Sequence, residues 1–187
     1  MQMLPGRRMN PINRLIQQRA LGLQFEQRRL RLHRVARSWC HNRTLADDLV
    51  QETFTKALRG LDQLREPKAF DAWLFHILHN CWCDHCRRER PNEDIADFAD
   101  SSELSFETPH ESHELTKSVH AAIAELPETQ RIVLTLVDLE GFSYAEVAMI
   151  LDIPTGTVTS RISRAREALR LSLAAYVTEP HNVEPFR

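Results

Sequence analysis

Residues 141–173 leave a folding chain few choices. They read GFSYAEVAMILDIPTGTVTSRISRAREALRLSL. Tyr144, Val147, Ala148 and Leu151 recur at the three-four spacing of one helix face, and Val158, Ile162, Ala165 and Leu169 repeat it further on. Between the runs stands Asp152-Ile153-Pro154-Thr155-Gly156, a tight break. Ser143, with Glu146 three residues later, is a capping-box signature at the start of the first run. The polar side of the second run carries Thr157, Thr159, Ser160, Arg161, Ser163, Arg164 and Arg166. Two helices crossing around a short turn, the second basic and rich in hydroxyls, describe a helix-turn-helix whose second helix fits a DNA major groove. Guanidinium groups there reach phosphates or guanine edges, and hydroxyls reach either. A basic helix is also a common solvated face, so the pattern needs support from the rest of the chain.

Strand patterns are scarce and helix-period patterns many in the 187 residues, which points to an all-α protein. A formal net charge of −2 argues weakly against a general nucleic-acid binder, but the charges are segregated. From Asn92 to Glu114 there is no Lys or Arg, while Glu93, Asp94, Asp97, Asp100, Glu103, Glu107, Glu111 and Glu114 are acidic. The few apolar residues of this stretch follow no helical period, which describes a flexible linker. It divides two small helical domains, 21–91 and 115–176, with a flexible arm at 1–20 and a disordered tail at 177–187. No run is apolar enough to span a membrane, and the N-terminus lacks the apolar segment of a secretory signal. A cytoplasmic protein is expected.

In the first domain a helix is expected from about Leu23, with Phe25, Leu32, Val35, Ala36 and Trp39 inward and Arg28, Arg29, Arg31, Arg34 and Arg37 around them. Asn42 breaks it. Thr44 is the expected cap of the next helix, with Asp47 and Asp48 in its first turn. Its buried stripe is Ala46, Leu49, Val50, Phe54, Ala57, Leu58 and Leu61, and its outer face is Asp48, Gln51, Glu52, Thr55 and Arg59. Such an acid-led face suits solvent or a basic protein partner better than DNA. After Pro67 comes AFDAWLFHILHNCWCDHCRRER, with Phe70, Trp73, Leu74, Ile77, Cys81 and Asp84 on one face and Arg87, Arg88 and Arg90 at its end. Aromatics beside arginines also grip single-stranded bases by stacking, although Trp73 reads as ordinary core. In the second domain Leu115–Leu126 is helical, and Gln130–Leu139 is an apolar helix closed by Gly141.

His76, His79, Cys83 and Cys86 lie along one stripe, and such side chains bind zinc where they converge. A straight helix separates His76 from Cys86 by about 15 Å, so at most a pair such as His79 and Cys83 could take a metal with help from Cys40 and His41. Small semi-polar side chains at a helix interface are the simpler reading. No nucleophile-and-base pair and no phosphate-cradling glycine loop stands out, so no enzyme and no cofactor is expected.

Together these motifs resemble the bacterial sigma factors of the sigma-70 class, in the small extracytoplasmic-function group. ELPETQRIVLTLVDLEGFSYAEVAMILDIPTGTVTSRISRAREALR is similar to region 4 of that group, and LADDLVQETFTKAL followed by AFDAWLFHILHN and Asp84 is similar to region 2. The resemblance spans about Leu23 to Ala175 and implies a transcription initiation factor that brings core RNA polymerase to promoters. By position, Asp48, Gln51, Glu52 and Thr55 would meet the clamp helices of the polymerase. The loop up to Lys68, with Phe70, Asn80, Asp84, Arg87 and Arg88, would read and melt the −10 element. Thr157, Thr159, Ser160, Arg161, Ser163 and Arg164 would read the −35 element, with the outer side of region 4 on the polymerase flap. An anti-sigma protein, often membrane-bound, is the implied regulator. Thr159 and Cys86 stand where the family often has basic residues. Two other readings compete: a stand-alone helix-turn-helix regulator, which has no need of the first domain, and a metal- or redox-responsive interaction protein built on the Cys/His segment.

Overall fold

The computed structural model describes residues 11–61, 64, 66, 69–89 and 113–177, and every regular element among them is helical. Helices α1 (Pro11–Cys40), α2 (Arg43–Arg59) and α3 (Phe70–Glu89) form the first domain. Helices α4 (His113–Ala124), α5 (Glu128–Leu134), α6 (Tyr144–Leu151) and α7 (Thr155–Val177) form the second. The body of the expected linker and nearly all of the expected tail lie outside the described residues.

Helix α1 starts at Pro11, not near Leu23, so half of the expected flexible arm is helical. Proline suits the first helical position because its missing N–H needs no partner there and its φ is already helical. His41 closes α1 in the left-handed region at φ 53, its N–H donating to Arg37 O at 2.9 Å. Asn42 opens α2 at once, its side-chain oxygen accepting from Leu45 N at 3.0 Å. The cap is therefore Asn42 rather than Thr44, and Asp47 and Asp48 fall beyond the first turn.

The buried row of α2 is Ala46, Leu49, Val50, Thr53 and Ala57. Leu58 lies on the flank of that row and is 48% exposed, against expectation. Thr53 is tolerated inside because its hydroxyl donates to Leu49 O at 2.7 Å. Helix α3 is buried on two sides. Phe70, Leu74 and Cys81 belong to the expected face, with Trp73 and Ile77 half-buried, while Phe75, Leu78 and Trp82 make a second buried set. Phe75 packs edge-on against Phe142 of the second domain, with ring centroids 5.1 Å apart.

The two domains thus share one core, and they are not left unoriented as the linker alone suggests. Trp39 Nε1 donates to Thr135 Oγ1 at 2.8 Å, and that hydroxyl donates onward to Ile132 O at 2.9 Å. Residues Thr135–Leu139 widen into a π-type turn, followed by Gly141 at φ +77, where a side chain would be strained. The expected helix 130–139 is therefore two pieces, and between them they bring Thr135 and Glu140 to α1. Glu140 is clamped by Arg31 Nε at 2.7 Å and Arg34 Nη2 at 2.9 Å, with its side chain only 1% exposed. Arg31 also bonds Asp71 at 2.7 Å, and Arg28 pairs with the same carboxylate. Arg131 donates to Ala124 O at 2.7 Å and to Trp39 O at 3.4 Å, so one guanidinium serves the C-terminal ends of α4 and α1.

Candidate nucleic-acid and partner surfaces

The helix-turn-helix is built as its residues require. Ser143 Oγ accepts from Glu146 N at 3.3 Å, and Glu146 accepts from Ser143 N at 2.8 Å, which completes the capping box. Those bonds to the Ser143 hydroxyl and backbone hold the Glu146 carboxyl below its ordinary range. Asp152 turns the chain at φ 54, and Ile153 N closes back on Ala148 O at 3.1 Å. Val158, Ile162 and Ala165 then seat α7 against the core. That fixes what faces out: Thr159, Ser160, Ser163 and Arg164 are exposed, with Thr157 and Arg161 half-buried on the flank. Thr159 and Ser160 donate their hydroxyl protons to Thr155 O and Thr157 O, which leaves oxygen lone pairs outward. Arg166 is occupied instead, donating to Asp138 at 2.6 Å and 3.2 Å and to the Tyr144 hydroxyl at 3.4 Å.

On α3, Asn80, Arg87 and Arg88 are exposed and Asp84 is half-exposed. Arg87 donates to Asp84 at 3.1 Å, and Arg88 to Asp84 O at 3.2 Å. Phe70 does not join them. It is 3% exposed, stacked on Phe25 at 5.8 Å with the Arg28 guanidinium 4.9 Å over its ring, so it offers no free face to a base. Lys68 lies outside the described residues.

On α2, Asp48, Gln51 and Thr55 are exposed and Glu52 is half-buried. Asp48 and Glu52 line a groove of about 440 Å³ together with Leu45, Leu49, His85, Arg88 and Glu89. Lys56, which spacing alone did not single out, joins this face to α3. Its ammonium contacts Glu52 at 3.0 Å and Asp84 at 3.2 Å. Burial would lower the Lys56 pKa, but the bonds to the two carboxylates prevail and hold it well above its ordinary value. The same Lys56 bond is the first cause of the lowered Asp84 pKa. The Glu52–Lys56 spacing of four was the available sequence signal.

Sequence comparison matches residues 24–91 to the model for Sigma-70 region 2 and residues 116–169 to that for Sigma-70, region 4. Among similar curated proteins, the RNA polymerase sigma-H factor of Pseudomonas aeruginosa is 37% identical over 151 residues, covering 74% of this chain and 78% of that protein. The chain belongs to the sigma-70 family. The ECF RNA polymerase sigma-E factor of Escherichia coli is 40% identical over 134 residues, covering 65% of this chain and 70% of its own. Among solved structures, the sigma factor RpoE in complex with the anti-sigma factor NepR from Bartonella quintana is similar, with a TM-score of 0.66, 26% identity, and coverage of 83% of this chain and 97% of that one. CnrH in complex with the cytosolic domain of CnrY is similar at a TM-score of 0.61 and 31% identity, covering 84% and 90%. The chain is thus a sigma factor of the extracytoplasmic-function group, a promoter-directing transcription initiation factor of regions 2 and 4.

The sigma factor's region 2 and region 4 meet along α3. His76 Nδ1–H donates to Ile150 O at 2.9 Å, and its Nε2 accepts from Asn80 Nδ2 at 3.0 Å. His79 stands next, edge-on to Trp39 at 6.3 Å, with its Nε2 hydrogen-bonded to Cys83 Sγ at 3.4 Å. Among the described residues no group of three or more His, Cys, Asp or Glu side chains is placed to hold a metal, so His79 and Cys83 stand as a pair. Burial pushes the thiols of Cys40, Cys81 and Cys83 up, which favours the unreactive protonated form.

Burial pushes the His79 pKa down to about 4, with the charges of His76 and Arg161 acting in the same direction. His41 falls to about 4 for the same first reason, with Arg131 adding to it. The folded state therefore binds fewer protons than the unfolded chain between the two pKa values. This contribution is full above pH 6.5 and is lost as the pH falls toward 4. His79→Gln is expected to flatten the pH dependence of unfolding in that window by of order 1–2 kcal/mol. Urea titrations of both proteins at a series of pH values check this, and identical slopes would show that His79 is free to protonate in the fold.

Proposed function

We propose that this sigma factor reads the −35 element with the exposed side of α7, through Thr157, Thr159, Ser160, Arg161, Ser163 and Arg164. The observation that carries this reading is the contrast on that helix: Val158, Ile162 and Ala165 are buried, while hydroxyls and Arg164 face out on the other side. The −10 element falls to the end of α3, with Asn80, Asp84, Arg87 and Arg88 as the reading groups and Lys68 ahead of them. Phe70 serves from the core, as the anchor of that helix start. Asp48, Gln51, Glu52 and Thr55 on α2 dock on the clamp helices of core RNA polymerase, and region 4 docks on the flap. An anti-sigma protein restrains the factor in the cytoplasm, a reading supported by the similar RpoE, which is bound to the anti-sigma factor NepR. Docking on polymerase fixes the spacing of the two regions, so the second DNA contact forms at high effective concentration.

The test is run-off transcription by core polymerase on fragmented host DNA, with and without the factor. Factor-dependent transcripts sharing an upstream motif are expected. Absence of any, from folded protein that binds polymerase, would overturn the promoter assignment. Asp48→Arg is expected to weaken polymerase binding about tenfold by placing like charge against a basic surface. Asp48 is exposed, so the fold should survive. Unchanged affinity in a pull-down titration would move the docking surface off α2.

A further inference from the structure

Arg166 lies on the polar side of α7, just past the groups assigned to the −35 element. Seven residues separate it from Thr159, so an ideal helix returns it to within about 20° of the same azimuth, about 10 Å further along the axis. Ser163 falls between them on that stripe. The guanidinium is held by all three of its nitrogens. Nη2 donates to Asp138 Oδ1 at 2.6 Å, Nε to Asp138 Oδ2 at 3.2 Å, and Nη1 to the Tyr144 hydroxyl at 3.4 Å. Asp138 belongs to the π-type turn Thr135–Leu139, and Tyr144 is the first residue of α6. One planar fork therefore ties the second helix of the helix-turn-helix to the first helix and to the turn before it.

The other side of α7 is seated by Val158, Ile162 and Ala165. Such apolar contacts hold the helix down but carry no direction of their own. A bidentate pair between a guanidinium and a carboxylate is directional. Its members keep 51% and 36% of their side-chain exposure, so the pair adds little to stability. What it supplies is orientation. Side-chain tips lie roughly 5–6 Å from a helix axis, so a roll of about 10° moves them by about 1 Å. That is enough to spoil a hydrogen bond to a base edge, whereas contacts to phosphates carry no sequence information to lose.

We propose that Arg166 is a positioning residue for −35 recognition: its fork on Asp138 and Tyr144 sets the roll of α7, and with it the register of Thr159, Ser160, Ser163 and Arg164 against the bases. The inference rests on the −35 reading above, and it assigns the specificity of that surface partly to a group that acts through other residues. Loss of the brace then costs discrimination between sequences more than it costs affinity for DNA as such.

The test titrates the full-length chain with two duplexes at low ionic strength. One carries the −35 element that run-off transcription identifies, and the other has that element scrambled. The readout is the ratio of the two dissociation constants. Arg166→Lys keeps the charge and loses the planar fork. Asp138→Asn keeps the shape and removes the charge that the fork grips. Both are expected to lower the ratio about three- to tenfold, the scale of part of one base contact. The double variant should fall no further than the worse single one, because both changes break the same brace, and additive losses overturn the proposal. A plain charge effect predicts that Arg166→Lys behaves as wild type and that Asp138→Asn binds both duplexes more tightly at an unchanged ratio. That result overturns the proposal too. So does loss of discrimination by Arg166→Lys while Asp138→Asn keeps it, which marks Arg166 as a direct DNA contact. Asp138→Asn decides by itself if the lysine variant fails to fold. A wild-type chain that does not distinguish the two duplexes removes the −35 reading and this role with it. One that does, beside variants that keep its ratio, removes this role alone.

Discussion

Trp39→Ala is expected to lower the free energy of unfolding by about 3–5 kcal/mol, the range for truncating a large buried aromatic. The indole is 1% exposed and among the largest fully buried side chains of the sigma factor. Its removal vacates a ring-sized volume next to His79 and takes away the donor to Thr135 Oγ1. Thr135 is 0% exposed, so its hydroxyl keeps its bond to Ile132 O but loses a partner that water cannot easily replace. Trp39→Phe separates the two effects. It retains most of the apolar volume and should cost about 1–2 kcal/mol, close to the value of the missing hydrogen bond and the smaller ring. Urea denaturation of the three proteins measures both steps. A loss below 1 kcal/mol for the alanine variant would mean that the seam around Trp39 is already open in solution.

The second large effect is on DNA. Arg164→Ala should weaken binding of a duplex carrying the native −35 element by about 1–3 kcal/mol if its guanidinium reaches a base edge. The residue is exposed on the outermost side of α7, while Arg166 two positions on is fastened to Asp138. The comparison that decides its role is with a scrambled −35 sequence. A base contact costs affinity only on the native element, whereas equal loss on both, with the salt dependence reduced by about one counterion, marks a phosphate contact. Arg166→Ala serves as a contrast, since it should loosen the brace to Asp138 and Tyr144 before it touches DNA.

The local features of region 4 were legible because they are written over a few neighbouring residues. The Ser143–Glu146 box, the break at Asp152 and the stripe Val158, Ile162, Ala165 all depend on contacts within one or two turns. Region 2 shows where such reading ends. Asn42 and Thr44 are both good caps, and only the left-handed turn at His41 decides for Asn42. Phe70 joined the −10 group through the resemblance, and its packing on Phe25, far away in sequence, is what places it in the core. The sequence places the arginines of α1 only around its inward residues and names no partner for them, yet Arg31 and Arg34 belong to Glu140, more than a hundred residues on. No period announces a second buried set on α3, because its partner residues come from a different domain. The polar face of α7 is legible as a pattern and the reading groups on α3 come from the family resemblance, whereas the bridges that Lys56 and His76 make between helices emerge only once the helices are placed side by side.

Arg131 has a consequence for how the sigma factor comes apart. One guanidinium holds carbonyls at the ends of two helices from different domains, and it is 8% exposed with its Nε left unpaired. Neither helix end can fray alone without uncovering a cation that the other end still needs. The amides at the end of α1 and the end of α4 should therefore exchange with solvent together, as one foldon that crosses the domain boundary. For hydrogen exchange, the unit of this chain is then not region 2 or region 4, but the patch where they touch.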